Sequence, residues 1–370
     1  MEFYNKNKMI KDRYVLFAII LIYIASTSFY FADFFRNLGF VYLSLLAIIT
    51  LLYSYRNTKL SICYILFIIY FAFHLSYTTD RVISCLMYVS CYILSLNMNI
   101  VQIKTKQIFY FIIGAALFNI IFDMSGFIVA LTKLDIQYAF LGVTRNTNTT
   151  SLYGALAFIS CVYLYLLSAK GRIWIFLFLF FIFMVACMSR NTILFIVYSL
   201  LLFICLRNYN EKKYDKFAIV STSCMLVLCY VFLIYIYQDS DINLFNKGAG
   251  SSSRTAMTIF SLENFNFSFF GLGREYISSV IHFNFSNALH NAYVFTFYSF
   301  GIFYVIFYIC FITSYYKNLK YKISKSFTLG IHIYYFFEPI IFFEYVIPTY
   351  VLLFCIYAGD RLLINKFNRN

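Results

Sequence analysis

Long apolar runs, each ended by a short polar stretch, follow one another along nearly the whole chain. A run of about 17–25 apolar residues has the length a helix needs to cross a hydrocarbon core. Runs of this kind predict spans over 14–32, 38–55, 60–77, 82–97, 108–131, 151–168, 172–188, 191–206, 217–237, 289–314, 326–340 and 343–358. Only two prolines and 13 glycines occur in 370 residues, so the runs read as helices, which satisfy their own backbone in lipid. The stretch from Phe327 to Ala358 is too long for one ordinary span, and Glu338-Pro339 near its middle divides it in two. The expected fold class is all-α: a polytopic integral membrane protein of about twelve transmembrane helices. It forms a single membrane domain over 1–370, with one large outer loop over 238–288.

Composition agrees with the pattern. Hydrophobic residues make up 62% of the chain and charged residues 12%, and the mean hydropathy is +0.78; a soluble domain carries roughly a quarter charged residues. The net charge of +14 would suggest a nucleic-acid partner if it formed a patch, but the basic residues are scattered between apolar runs, which argues against that partner. All ten cysteines sit inside apolar runs and read as small core hydrophobes, not as a disulfide or metal framework. The first run follows Lys6, Lys8, Lys11 and Arg13, but no small-residue cleavage site closes it, so it reads as a first span and not a removable leader.

Charge then sets the expected sidedness. With the N-terminus inside, the outer segments hold Arg36, Arg81, Lys133, Arg145, Arg190, Lys247, Arg254 and Arg274, and the other 21 of the 29 Lys and Arg fall inside. Every inner loop then carries at least two, as the positive-inside rule asks, and both termini are cytoplasmic. Six of the eight outer basic residues are Arg, whose forked guanidinium suits phosphate and carboxylate. The long outer loop has glycine turns, aromatics and charges, the composition of a functional segment.

No soluble catalytic motif is present: Gly271-Leu272-Gly273 lacks the third glycine and the helix of a dinucleotide site, and no outer cluster has metal-ligand spacing. An ordered set of outer-face elements stands out instead. "TRNTNTTSLYGALAF" (Thr144 to Phe158) runs into a span, and "SRNTILFIVYSLLLF" (Ser189 to Phe203) opens another at the same face. The long loop carries "SSSRTAMTIFSLENF" (Ser251 to Phe265) and "FFGLGREY" (Phe269 to Tyr276), and "LHNAYVFTFYSFG" (Leu289 to Gly301) opens the next span.

In order and sidedness this set resembles the bacterial O-antigen polymerase and ligase family, polytopic enzymes that join polysaccharide carried on undecaprenyl pyrophosphate. The resemblance covers about Thr144 to Gly301, and the first five spans match only in being apolar. Two departures concern loop geometry: no proline stands beside the Asn-rich motif, and Phe269-Phe270 occupy the place of a usual proline before the glycine turn. The resemblance implies a glycosyl transfer enzyme of the bacterial inner membrane acting at the periplasmic face, with lipid-linked oligosaccharide repeat units as substrates. A chain-length regulator protein is an implied partner.

The residues themselves allow the same chemistry. Cleaving a sugar from a lipid pyrophosphate develops negative charge on the leaving group, which fixed guanidinium groups stabilise without a metal or other cofactor. Arg254 and Arg190 are the expected pyrophosphate holders, with Arg274 and Arg145 as further substrate contacts; the plain alternative for each is a solvated or lipid-facing Arg. His290, beside Asn291, has the pKa range of a general base for the acceptor hydroxyl, against the alternative of a histidine bonded to a helix start. Glu275 and Glu263 are rival bases, Glu275 also a candidate sugar contact with Asn291 and Asn148. Asp123, which shares a helix face with Asn119, and His74, Glu338, Glu344 and His332 read as structural polar groups inside spans, with acceptor-sugar binding the alternative for Glu338 or Glu344. Two alternatives accompany the polymerase: the ligase that transfers polysaccharide to lipid A core, and a lipid-linked oligosaccharide flippase, a transporter of similar span count. The lack of an internal repeat and the concentration of polar residues in one outer loop favour an enzyme over a transporter.

Overall fold

The computed structural model describes residues 106–144, 146–168, 171–238, 292–337 and 346–367, with short pieces at 243–244 and 247–248 and the single residues 269 and 271. The four spans expected before residue 98 lie outside these residues. Most of the described residues are helical, and a two-residue antiparallel ladder pairs Asn243 with Gly248 and Leu244 with Lys247. The helices are α1 (Gln107–Phe122), α2 (Met124–Lys133), α3 (Thr147–Ser168), α4 (Ile173–Ala186), α5 (Arg190–Leu206), α6 (Glu211–Gln238), α7 (Ala292–Asn318), α8 (Lys322–Phe337) and α9 (Val346–Phe367). Among the described residues two helices are long and apolar enough to cross a membrane, α3 and the Glu211–Val231 part of α6, or three if the bent pair α1–α2 is one span. The expected spans 172–188 and 191–206 correspond to the shorter apolar helices α4 and α5. Phe327 to Ala358 is divided between α8 and α9.

Helix α3 is the hub, buried along most of its length. Three glycines let backbones approach at crossings: a Cβ at Gly154 would meet Phe183 and Met184 of α4, one at Gly330 would meet Ser199 and Phe195 of α5, and one at Gly359 would meet the ring of Tyr163 on α3. Small residues at such crossings are the usual device where helices associate through packing and not through exclusion of water. The Tyr163 hydroxyl ties three helices by donating to Ser324 Oγ on α8 at 2.8 Å and the Ile356 carbonyl on α9 at 3.2 Å. The outer faces carry exposed apolar side chains, including Phe118, Ile121, Ile175, Phe178, Leu201, Val227 and Leu228. Cys161, Cys187, Cys229 and Cys355 are buried, but Cys205 and Cys224 are exposed on the bundle surface, so for those two the core expectation is corrected.

Among the described residues, ion pairs and charged hydrogen bonds gather at one end of the bundle. Lys325 of α8 is nearly buried and pairs with Asp215 of α6 at 2.9 Å, and the Tyr316 hydroxyl donates to the same carboxylate at 2.9 Å. Lys322 Nζ donates to the carbonyls of Arg207 (2.8 Å) and Tyr209 (2.5 Å), closing the α5–α6 connection. Asp360 accepts from the amides of Lys320 (3.0 Å) and Tyr321 (2.8 Å) at the α7–α8 turn, and burial raises its pKa above the ordinary carboxylate value. Lys366 Nζ donates to the Leu166 carbonyl near the end of α3. Asn148 is at the opposite end of α3, about 27 Å away at 1.5 Å per residue.

Two expected straight spans are broken. The run 108–131 bends by 80° between α1 and α2. There the Asp123 carboxylate accepts from the Gly126 amide at 3.0 Å and caps α2. Asn119, expected to share a face with Asp123, instead accepts from the Val143 amide at 3.2 Å and anchors the turn that follows. The run 289–314 is broken at Gly301, whose φ of 77° leaves the helical region. Tyr316 and Lys325 meet at Asp215 and are therefore level; from there His332 is about 10 Å up α8 and Gly301 about 22 Å up α7. A straight α7 would carry Tyr293 about 34 Å up, yet its hydroxyl is 2.5 Å from His332 Nδ1. Side chains bridge about half of that difference at most, so the segment before Gly301 doubles back against the bundle. The long loop meets this bend, because a Cβ at Gly301 would overlap the Phe269 carbonyl and the Gly271 amide nitrogen.

Candidate functional site

At the end of the bundle opposite the charged layer, two motifs far apart in sequence are joined by buried hydroxyls. Asn146 Oδ1 accepts from the amides of Asn148 (3.0 Å) and Thr149 (3.1 Å), capping α3. Thr144 and Thr150 hydroxyls are 2.6 Å apart, and Thr150 donates to the Leu141 carbonyl, pinning the preceding turn. Ser151 is 2.7 Å from Thr192, Thr192 is 3.0 Å from Ser189, and the Ser189 hydroxyl donates to Asn148 Oδ1 at 3.4 Å. The start of α3 and the start of α5 thus share one polar network. Met188 at φ 51° makes the sharp entry into α5, and Arg190 is its first residue, exposed at the rim of the network. A helix start favours anions through its free amides and dipole, and a guanidinium there adds charge.

Next to this network the α1–α2 bend opens a cleft of about 530 Å³. Asp123, Ser125 and Tyr138 supply polar groups to its wall, with Phe122, Val129 and Phe140 among the apolar ones. Leu141 and Gly142 line the cleft and belong to the turn held by Asn119 and Thr150. The volume falls in the range of small-ligand pockets, about 300–1,000 Å³.

Of the residues expected from sequence, Arg190 and Asn148 are brought together here, at the joined starts of α5 and α3. Arg145, Arg254, Arg274, Glu275, His290 and Asn291 lie outside the described residues, as do Glu263, His74, Glu338 and Glu344. Among the described residues no three His, Cys, Asp or Glu side chains gather as a cation site would require. The sequence reading missed Ser151, Thr192 and the bend at Asp123, although Asp123-x-x-Gly126 inside an apolar run is a legible cap-and-turn signal.

The described part thus belongs to the class of all-helical chains with apolar, membrane-length helices. Compared with known proteins, the chain matches no family model and no curated protein sequence.

Proposed function

We propose that the chain is a membrane glycosyltransferase that polymerises lipid-pyrophosphate-linked oligosaccharide units at the outer face of a bacterial inner membrane, the reaction of an O-antigen polymerase. The carrying observation is the union of the Asn148 and Ser189–Thr192 motifs in one buried hydroxyl network with Arg190 at its rim. Arg190 and Arg254 would hold the donor pyrophosphate and stabilise the charge that grows on it as the glycosidic bond to phosphate breaks. Arg274 and Arg145 would add contacts to phosphate, and Asn291, Glu275 and Asn148 contacts to sugar. His290 would take the proton of the attacking acceptor hydroxyl. The exposed apolar side chains of α1, α4, α5 and α6 suit lipid contact.

Chain extension by membranes carrying Arg190→Ala or Arg254→Ala tests the reading. Both are expected to lose at least tenfold, with Arg190→Lys recovering only part because a point charge replaces a fork; normal extension by both variants would refute it. The flippase alternative draws on the breaks at Asp123 and Gly301, since broken helices are common in transporters. The two readings part on where intermediates accumulate. Loss of a polymerase leaves single repeat units on the core, and loss of a flippase leaves units trapped inside. The ligase alternative would leave unligated lipid-linked polymer.

A further inference from the structure

The cleft in the α1–α2 bend carries polar groups that its own scaffold does not use. Asp123 Oδ1 accepts from the Gly126 amide and caps α2, and the glycine makes room for it, since a Cβ at residue 126 would overlap the carboxyl group. An asparagine caps a helix as well as an aspartate does, so the cap explains one oxygen and leaves the charge, costly in an apolar run, unexplained. Among the described residues Asp123 Oδ2, the Ser125 hydroxyl and the Tyr138 hydroxyl have no hydrogen-bond partner, and all three residues line the cleft. Phe122 and Tyr138, 51% and 46% exposed, bring aromatic rings to the same wall.

A carboxylate that only accepts, hydroxyls that donate and accept, and aromatic rings beside them suit a molecule with many hydroxyls and apolar C–H faces. That combination is a saccharide. A lipid tail would leave the polar groups unpaired, and a phosphate would meet the Asp123 charge. The cleft also adjoins the network that carries Arg190. Leu141 and Gly142 line it, the Leu141 carbonyl accepts from Thr150 on α3, and the next residue, Ser151, meets Thr192 on α5.

We propose that the cleft is a saccharide subsite, in which Asp123, Ser125 and Tyr138 bind hydroxyls of the donor sugars whose pyrophosphate Arg190 holds. The identity of those sugars as donor rests on the polymerase reading.

The test uses the full chain in lipid nanodiscs with Val129→Cys as reporter, because Val129 lines the cleft and is 40% exposed. The probe is the single-repeat oligosaccharide released by mild acid from the lipid carrier of cells lacking this chain. It is expected to slow maleimide labelling of residue 129, mapped by mass, several-fold, without slowing that of the exposed Cys224. Adding Asp123→Asn, which keeps the cap, or Tyr138→Phe should raise the protecting concentration about tenfold, the scale of one lost hydrogen bond. Unslowed labelling overturns the proposal, as does equal protection in both variants. Protection by sugar-free undecaprenyl phosphate in place of the oligosaccharide overturns it too, marking a lipid cleft. Chain extension by Arg190→Ala and Arg254→Ala membranes separates the two readings. Protection with normal extension keeps the saccharide site and ends the polymerase reading, whereas lost extension without protection ends only the subsite.

Discussion

The same substitution, Gly→Ala, should have opposite signs at two glycines of this chain. At Gly301 the backbone has φ 77° and ψ −177°, a region adopted essentially by glycine alone that costs another residue about 1–3 kcal/mol. The added methyl would also overlap the backbone of Phe269 and Gly271, and backbone cannot swing aside as a side-chain tip can. At least about 2 kcal/mol should therefore be lost, and the loop should detach from the bend. At Gly114, in the exposed middle of α1, nothing lies within 4 Å of the added carbon, so Ala should gain about 0.5–1 kcal/mol from helix propensity. Gly330→Ala falls on the losing side, because the methyl would meet the Ser199 hydroxyl and the Phe195 backbone. The assay is thermal unfolding of the three purified variants in one detergent, read by tryptophan-independent thiol exposure, with protease nicking near residue 270 as a second signal. A Gly301→Ala protein as stable as Gly114→Ala, with its loop no more readily nicked, would refute the doubled-back α7.

Other outcomes follow from the polar contacts. Asp215→Asn strands Lys325, whose side chain is 8% exposed, and should cost about 3 kcal/mol; Lys325→Met leaves an aspartate that is 35% exposed and should cost less, as detergent melting would reveal. Thr192→Val removes a hydroxyl shared by Ser151 and Ser189, with an expected loss of about 1–2 kcal/mol and slower chain extension at unchanged membrane level. Asp360→Ala leaves the Lys320 and Tyr321 amides unpaired and should cost about 1–3 kcal/mol, whereas Asp360→Asn keeps an acceptor and should be mild. Burial raises the Asp360 pKa from its usual 3.8, so its contribution to stability is full at acid pH below that value and is lost as pH rises through the raised one; the Asn variant should lack this slope in unfolding measured against pH.

The sequence pattern told much about where helices occur and less about where they break. Apolar runs and their flanking charges locate α3, α4, α5 and α8 within a few residues, because run length and capping chemistry are local. The breaks at Asp123 and Gly301 depend on what packs against them: a lone Gly in an apolar run is compatible with a straight helix until the backbone of Phe269 and Gly271 approaches it. The helix ends shift for a similar reason. α6 begins at Glu211 and α9 reaches Phe367, beyond the apolar runs, since Tyr214, Asp215 and Asp360 find partners across the bundle. Ser151 and Thr192 lie within the Thr144–Phe158 and Ser189–Phe203 motifs without a chemical signature of their own; only the meeting of α3 with α5 makes them one network. The order of the motifs is legible in the sequence, but the meeting of the first two, at the starts of α3 and α5, is a tertiary fact.

Surface-glycan electrophoresis on cells whose only copy of this chain carries His290→Ala, with its membrane level checked by immunoblot, tests the proposed activity most directly. Single repeat units on the core at normal protein level are the expected result. A full-length ladder of polymer would contradict the assignment of glycosyl transfer to this site.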